Sequence, residues 1–303
     1  MAKAEIEDTY AECFTGLFCR VTITANDQQT LRKAAEDSTA TPSVVIGRTE
    51  GGLERYVSQK ETPDQRLGAV LQFWGEINPK KTFDQSLKKF ETELSYRIRQ
   101  DILVKRFTAV YDALPNAEGK LDMMETVGHC GDGYEWIENR NGREVIIVPL
   151  MVPDFVIERY LGYGRGIMGG NFWVFCKTKQ TLKEAGEKAL AAIHQVPGVV
   201  TPFDVCSAGS KPETHFPKIG PTTNHLYCPS LKPRLGKESR VPEGVRYIAE
   251  IVYDGLSLDA IKQATKAGIE AVLAVDGVVK ISAGNYGGKL GDYKISLREL
   301  FHE

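Results

Sequence analysis

Residues 172–201 read FWVFCKTKQTLKEAGEKALAAIHQVPGVVT, and residues 251–280 read IVYDGLSLDAIKQATKAGIEAVLAVDGVVK; the two segments align without a gap at an offset of 79. Each opens on a short apolar run and reaches a hydroxyl residue suited to an N-cap, Thr178 or Ser257. An amphipathic helix follows, and each segment closes on a glycine turn and a Val-Val strand. Leu182 aligns with Ile261, Ile193 with Val272 and Val196 with Val275, so the apolar stripe occupies the same helix face in both copies. Two tandem β-α-β units, with an intervening loop that lets a strand return antiparallel, predict a split β-α-β arrangement.

The N-terminal half repeats this grammar more faintly. We expect strands over 17–25, 42–47, 67–74 and 107–113, with helices over 27–37 and 83–99. The predicted fold class is α+β: two ferredoxin-like split β-α-β lobes with an internal pseudo-repeat. The N-terminal lobe spans 1–150 with a β-rich extension, and the C-terminal lobe spans 151–303. Between about 115 and 170 the helical period disappears, and runs such as EVIIVPLMV alternate with glycine turns, which predicts extra β-structure. A second irregular stretch, 207–243, is long for a loop inside a compact domain, and such loops are functional or disordered.

Composition removes several classes of function. The 38 basic and 40 acidic residues are dispersed and leave a net charge of −2, without the basic stripe that a phosphate backbone requires, so no nucleic-acid partner is expected. No apolar run is long enough to span a membrane, and MAKAEIEDTY carries no apolar signal region, which predicts a cytoplasmic protein. Six cysteines without a CxxC pair read as reduced thiols. No P-loop, dinucleotide fingerprint or G-x-S-x-G elbow occurs, so neither a nucleotide nor a serine nucleophile is expected.

Three constellations stand out. Glu250, in RYIAEIVY, shares a strand face with Ile248 and Val252 by alternation. Such a carboxylate is either solvated at an edge or paired with Arg246, or it is desolvated, protonated more readily and available for acid–base work. His129-Cys130 and His225-x-x-Cys228 supply metal-ligating atoms at spacings that match no recognised zinc pattern, so no metal is expected. GNYGGKLG, 284–291, reads as a hairpin turn whose glycines also free backbone amides to meet a carboxylate or phosphate, with Lys289 adding charge.

Taken together, IEDTYAECF (6–14), EGGLERYV (50–57), GDGY (131–134), GGNFW (169–173), SAGSK (207–211), VPEGV (241–245), EIVYDGL (250–256) and GVVKISAGNYGGKLGDYK (277–294) resemble the formylmethanofuran:tetrahydromethanopterin formyltransferase family over essentially the whole chain. The resemblance implies a two-lobed fold and transfer of a formyl group between a methanofuran-type carrier amine and tetrahydromethanopterin. These two molecules enter as substrates, with no metal and no nucleotide. It also implies a homo-oligomer, dimer or tetramer, with its active cleft at a subunit contact. The family's catalytic carboxylate lies in the segment E-I-V, which is Glu250 here. Asp132, Tyr134, Lys211, Thr222, Asn224, Asn285, Tyr286 and Lys289 lie in matching loops and are the candidate substrate-binding residues.

Family members from archaea that work in concentrated salt are strongly acidic. A net charge of −2 fits better the methylotroph formyltransferase/hydrolase complex, whose hydrolase subunits become expected partners. Two other readings differ in class: a non-catalytic scaffold or carrier-binding subunit, and a small-molecule regulatory domain pair.

Overall fold

The computed structural model describes residues 4–40, 49–152 and 154–301. These form an α+β protein of two compact units, one comprising Gly16–Gly166 and the other Met1–Thr15 with Ile167–Glu303. The strand expected over 42–47 lies outside the described residues. Among those described, no helix is long and apolar enough to cross a membrane.

In the unit that holds residues 167–301, four strands lie side by side. Val199–Val200 pairs with Tyr247–Gly255, which pairs with the end of Tyr160–Cys176, which pairs in turn with Val278–Ser282, all antiparallel. Helices Lys179–Ile193 and Leu258–Leu273 connect them. Thr178 and Ser257 cap these helices as expected, their hydroxyls accepting from the amides of Thr181 and Ala260. Ala185, Ala189 and Ile193 of one helix and Ile261, Ala264 and Ile269 of the other share a core with Phe172, Val174, Ile251 and Tyr253. Close packing explains Gly268 inside the second helix: a Cβ there would lie 2.8 Å from the ring of Phe172.

Strand alternation leaves Trp173, Phe175 and Ile248 on the opposite face, where Tyr227, Val241 and Val245 cover them. Two segments from the start of the chain complete this unit. Glu5–Ile6 runs parallel to Lys280–Ile281, and residues 10–13 pair antiparallel with Tyr293–Ser296.

In the other unit, Thr49–Val57, Leu67–Glu76, residues 16–25 and Ala109–Asp112 are neighbours in that order, with Phe155–Glu158, Arg143–Val148 and Trp136–Arg140 continuing beyond. The hairpin Trp136–Arg140 to Arg143–Val148 and the strand Gly119–Asp122 are the β-structure expected after residue 115. Helices Gln28–Thr39 and Phe83–Arg97 contribute Leu31, Ala34, Phe90 and Leu94 to a core with Leu71 and Phe73. Several boundaries differ from expectation, and the strand expected over 17–25 begins already at Tyr10. The second helix passes at Ile98 into a wider π-helical turn, Ile98–Leu103. The strand expected from 107 begins only at Ala109, because Phe107 adopts a left-handed φ of 61°.

Candidate active site

Glu250 sits on an interior strand. Its amide donates to the Cys206 carbonyl at 2.8 Å, and its carbonyl accepts from the Cys206 amide at 2.9 Å. On its other side it is the direct cross-strand partner of Trp173. Residues opposite one another in a sheet project to the same face, and the Trp173 indole N–H donates to Glu250 Oε1 at 3.0 Å. The edge-solvated alternative is therefore removed. Burial raises the Glu250 carboxyl above its ordinary pKa, against the opposing effect of hydrogen bonds from Trp173 and the Cys206 thiol. Burial and the nearby Glu250 likewise push the Cys206 thiol up.

This carboxyl lies at a cleft of about 160 Å³, lined among others by Trp173, Cys206, Gly209, Asn224, Tyr227 and Cys228. The stretch 207–243 supplies one wall, with the Tyr227 ring edge-on to Trp173 at 4.7 Å. The long loop is thus part of the site's construction. The glycine-rich segment approaches at Gly284, whose amide donates to Asn171 Oδ1 at 2.6 Å. A Cβ on Gly284 would lie 3.2 Å from that oxygen and 3.4 Å from both Glu250 Oε1 and Trp173 Nε1. A methyl there would press on Asn171 Oδ1, which would have to give by a few tenths of an ångström, and would touch Glu250 and Trp173 at van der Waals distance.

The remaining candidates separate by position. Asn224 lines the cleft beside Glu250. The Tyr286 hydroxyl donates to the Ser210 carbonyl at 2.7 Å, and burial, with Glu250 adding to it, pushes its pKa up to about 12. Lys211 and Thr222 face each other across an isolated bridge, and the Lys211 ammonium turns back onto the Glu213 carbonyl. Asn285 donates to Thr9 Oγ1 and the Tyr10 carbonyl, at 3.1 and 3.2 Å. Lys289 is exposed. Asp132 and Tyr134 belong to the Gly16–Gly166 unit; Asp132 is left-handed at φ 56°, and Tyr134 is 78% exposed. Among the described residues, no group of three or more His, Cys, Asp or Glu is placed to hold a metal. All six cysteines are free thiols.

Sequence reasoning missed three contributors. Trp173 was readable in principle: placing repeat-equivalent strands opposite one another puts it beside Glu250. Cys206 lies in no strand, and it meets Glu250 only through an isolated bridge. Glu12 carried no local signal, because its partners lie more than 270 residues away. Its carboxylate accepts from the amides of Tyr286, Gly288, Leu290 and Gly291, at 2.7, 3.0, 2.5 and 2.7 Å. Burial alone would raise its pKa, but these four amides together hold it below the ordinary carboxylate value. The amides that the glycine pattern offered to an external anion are therefore occupied by an internal one.

Two family models match the chain. Residues 1–150 match formylmethanofuran-tetrahydromethanopterin formyltransferase, and residues 153–300 match the proximal lobe of the same family. A formylmethanofuran–tetrahydromethanopterin formyltransferase-like protein of Methanothermobacter thermautotrophicus is 60% identical over 96% of each chain. The solved formylmethanofuran:tetrahydromethanopterin formyltransferase of Methanosarcina barkeri has a TM-score of 0.88 at 39% identity, over 98% of each chain. A chain of the formyltransferase/hydrolase complex of Methylorubrum extorquens, solved with methylofuran, has a TM-score of 0.88 at 28% identity, covering 98% of this chain and 97% of that one. The charge balance leaned toward the methylotroph complex, whereas identity is higher to the two archaeal proteins. With both halves matched and the full length aligned, this chain belongs to the formylmethanofuran:tetrahydromethanopterin formyltransferase family.

Proposed function

We propose that this protein is an N-formyltransferase that moves a formyl group between the amine of a methanofuran-type carrier and N5 of tetrahydromethanopterin. The observation that carries this reading is the carboxyl of Glu250, partly withdrawn from water at a cleft and oriented by the Trp173 N–H. The accepting amine attacks the formyl carbon, giving a tetrahedral intermediate whose oxygen carries developing negative charge. Protonated Glu250 donates a hydrogen bond to that oxygen. It then relays the proton lost by the attacking nitrogen to the departing one, so that the C–N bond breaks to release a neutral amine. The cleft contributes by holding the two amines in line. Asn224 binds substrate from the cleft side, while Tyr286, Asn285, Lys289, Lys211, Thr222, Asp132 and Tyr134 complete the set of substrate-binding residues.

We further read each lobe as ferredoxin-like, on the strength of the strand neighbours described above and the capped helices at equivalent positions. The protein acts in the cytoplasm as a homo-oligomer whose cleft is completed at a subunit contact. Phe216 and Ile219, 67% and 66% exposed in the stretch that walls the cleft, support that reading. Hydrolase subunits like those of the Methylorubrum complex are candidate partners.

A second reading, a non-catalytic carrier-binding subunit, is favoured by one observation: the relative at 60% identity bears a formyltransferase-like name, whereas the structure named as the enzyme stands at 39%. An assay separates the two. Purified protein is mixed with formyl-tetrahydromethanopterin and a furfurylamine carrier, and pterin absorbance is followed. Transfer by the wild type that collapses in Glu250→Gln supports the enzyme; carrier binding without transfer supports the subunit.

A further inference from the structure

Gly287 and Gly288 both have left-handed backbones, with φ of 70° and 73°, and they turn successive amides of the segment 286–291 toward one point. Such a concavity ordinarily receives an external anion. Here it closes on Glu12, which is 5% exposed and whose two carboxylate oxygens each take two amides. The stretch 9–12 adds further straps: Asn285 donates to Thr9 and Tyr10, and the Glu12 amide donates to the Gly284 carbonyl at 3.4 Å.

This segment is bounded by the reacting site. Gly284 abuts Glu250 and Trp173, and Tyr286 reaches across to the carbonyl of Ser210, next in sequence to Gly209 of the cleft lining. The side chains of Lys289 and Leu290 meanwhile face solvent. Every backbone constraint on 286–291 that originates in Glu12 therefore acts on the backbone that carries Tyr286.

We propose that Glu12 is a positioning residue for formyl transfer, an internal anion that holds the glycine-rich segment 284–291 in the conformation that receives substrate. The inference rests on the formyltransferase reading. Glu12 touches no reacting atom; removing it loosens the segment and weakens substrate binding while leaving Glu250 and its donors in place.

Two readouts test this. In hydrogen–deuterium exchange of the purified protein, Glu12→Gln, which replaces an oxygen with an NH₂ facing two amides, speeds exchange across 286–291. Glu12→Ala speeds it further, and added acetate, entering the vacated concavity, restores protection where chloride at equal ionic strength does not. Glu250→Gln serves as the control and leaves the segment protected. In steady-state assays Glu12→Gln raises KM about tenfold with kcat changed much less, the pattern of lost binding rather than lost transition-state contact.

Exchange that is indifferent to Glu12→Gln overturns the proposal, as does a loss confined to kcat. The near-isosteric Gln variant keeps the test decisive should Glu12→Ala fail to fold. Failure of the underlying reading is distinguishable: the wild type then transfers no formyl group, while protection of 286–291 still depends on Glu12.

Discussion

Phe172 and Ile251 face each other as direct partners across the antiparallel pair at the centre of their sheet, and they are also the equivalent first positions of the two repeated segments. Any antiparallel pair of copies has one point where equivalent residues meet, and from it a local two-fold relation propagates. Val199 opposite Gly255 in one copy answers Val278 opposite Cys176 in the other. The buried carboxyl breaks the symmetry one step away, where Glu250 meets Trp173.

Glu250→Gln should lower turnover by about two to three orders of magnitude, the usual contribution of a positioned acid–base group with oxyanion stabilisation, while KM changes little. Burial has raised the folded-state pKa of this carboxyl above its unfolded value. The folded protein therefore binds that proton more tightly, and the charged form costs stability at pH above the raised pKa. At mildly alkaline pH the Gln variant should melt at a temperature no lower than the wild type, measured by calorimetry.

Trp173→Phe removes an N–H that favours the charged carboxylate. The Glu250 pKa then rises further, so the alkaline limb of the kcat profile, where the proton is lost, moves to higher pH. A limb that stays in place or moves to lower pH would show that another group sets it.

Gly284→Ala introduces a methyl 3.2 Å from Asn171 Oδ1 and 3.4 Å from Glu250 Oε1. We expect a folded protein with moderately reduced turnover, because Asn171, which accepts from the Gly284 amide, must give by tenths of an ångström and so shifts the backbone that packs against Glu250 and Trp173. Unchanged circular dichroism beside the lost rate is the expected pairing.

The caps provide a purely structural counterpart. Thr178→Ala and Ser257→Ala should each cost about 1 kcal/mol, read from denaturant midpoints. The Thr178 loss should be at least as large, because its hydroxyl also meets Thr181 Oγ1 at 2.9 Å. Activity per folded molecule should be unchanged in both.

Legibility in the sequence followed the range of the interactions. Thr178 and Ser257 act on amides three residues away, and both caps could be read directly. Glu250 was visible because alternation within one strand made a carboxylate conspicuous. Its donor required knowing which strand lay alongside, and Cys206 required a bridge between a strand and a loop. The wider helical turn at Ile98–Leu103 left no trace in apolar spacing, since its residues still bury one face. Glu12 was beyond reach, because nothing near residue 12 indicates that four amides around residue 288 will converge on it.

That distance has a consequence for synthesis. Residue 12 leaves the ribosome more than 270 residues before residues 286–296, which must close around it and pair with its strand. The helices and hairpins between can form as they emerge, each from neighbours already made. The segment from Gly284 to Gly291, which abuts Glu250 and closes around Glu12, takes shape only after those residues have emerged. A nascent chain stalled before residue 284 is thus expected to hold most of the secondary structure that precedes it and none of the activity.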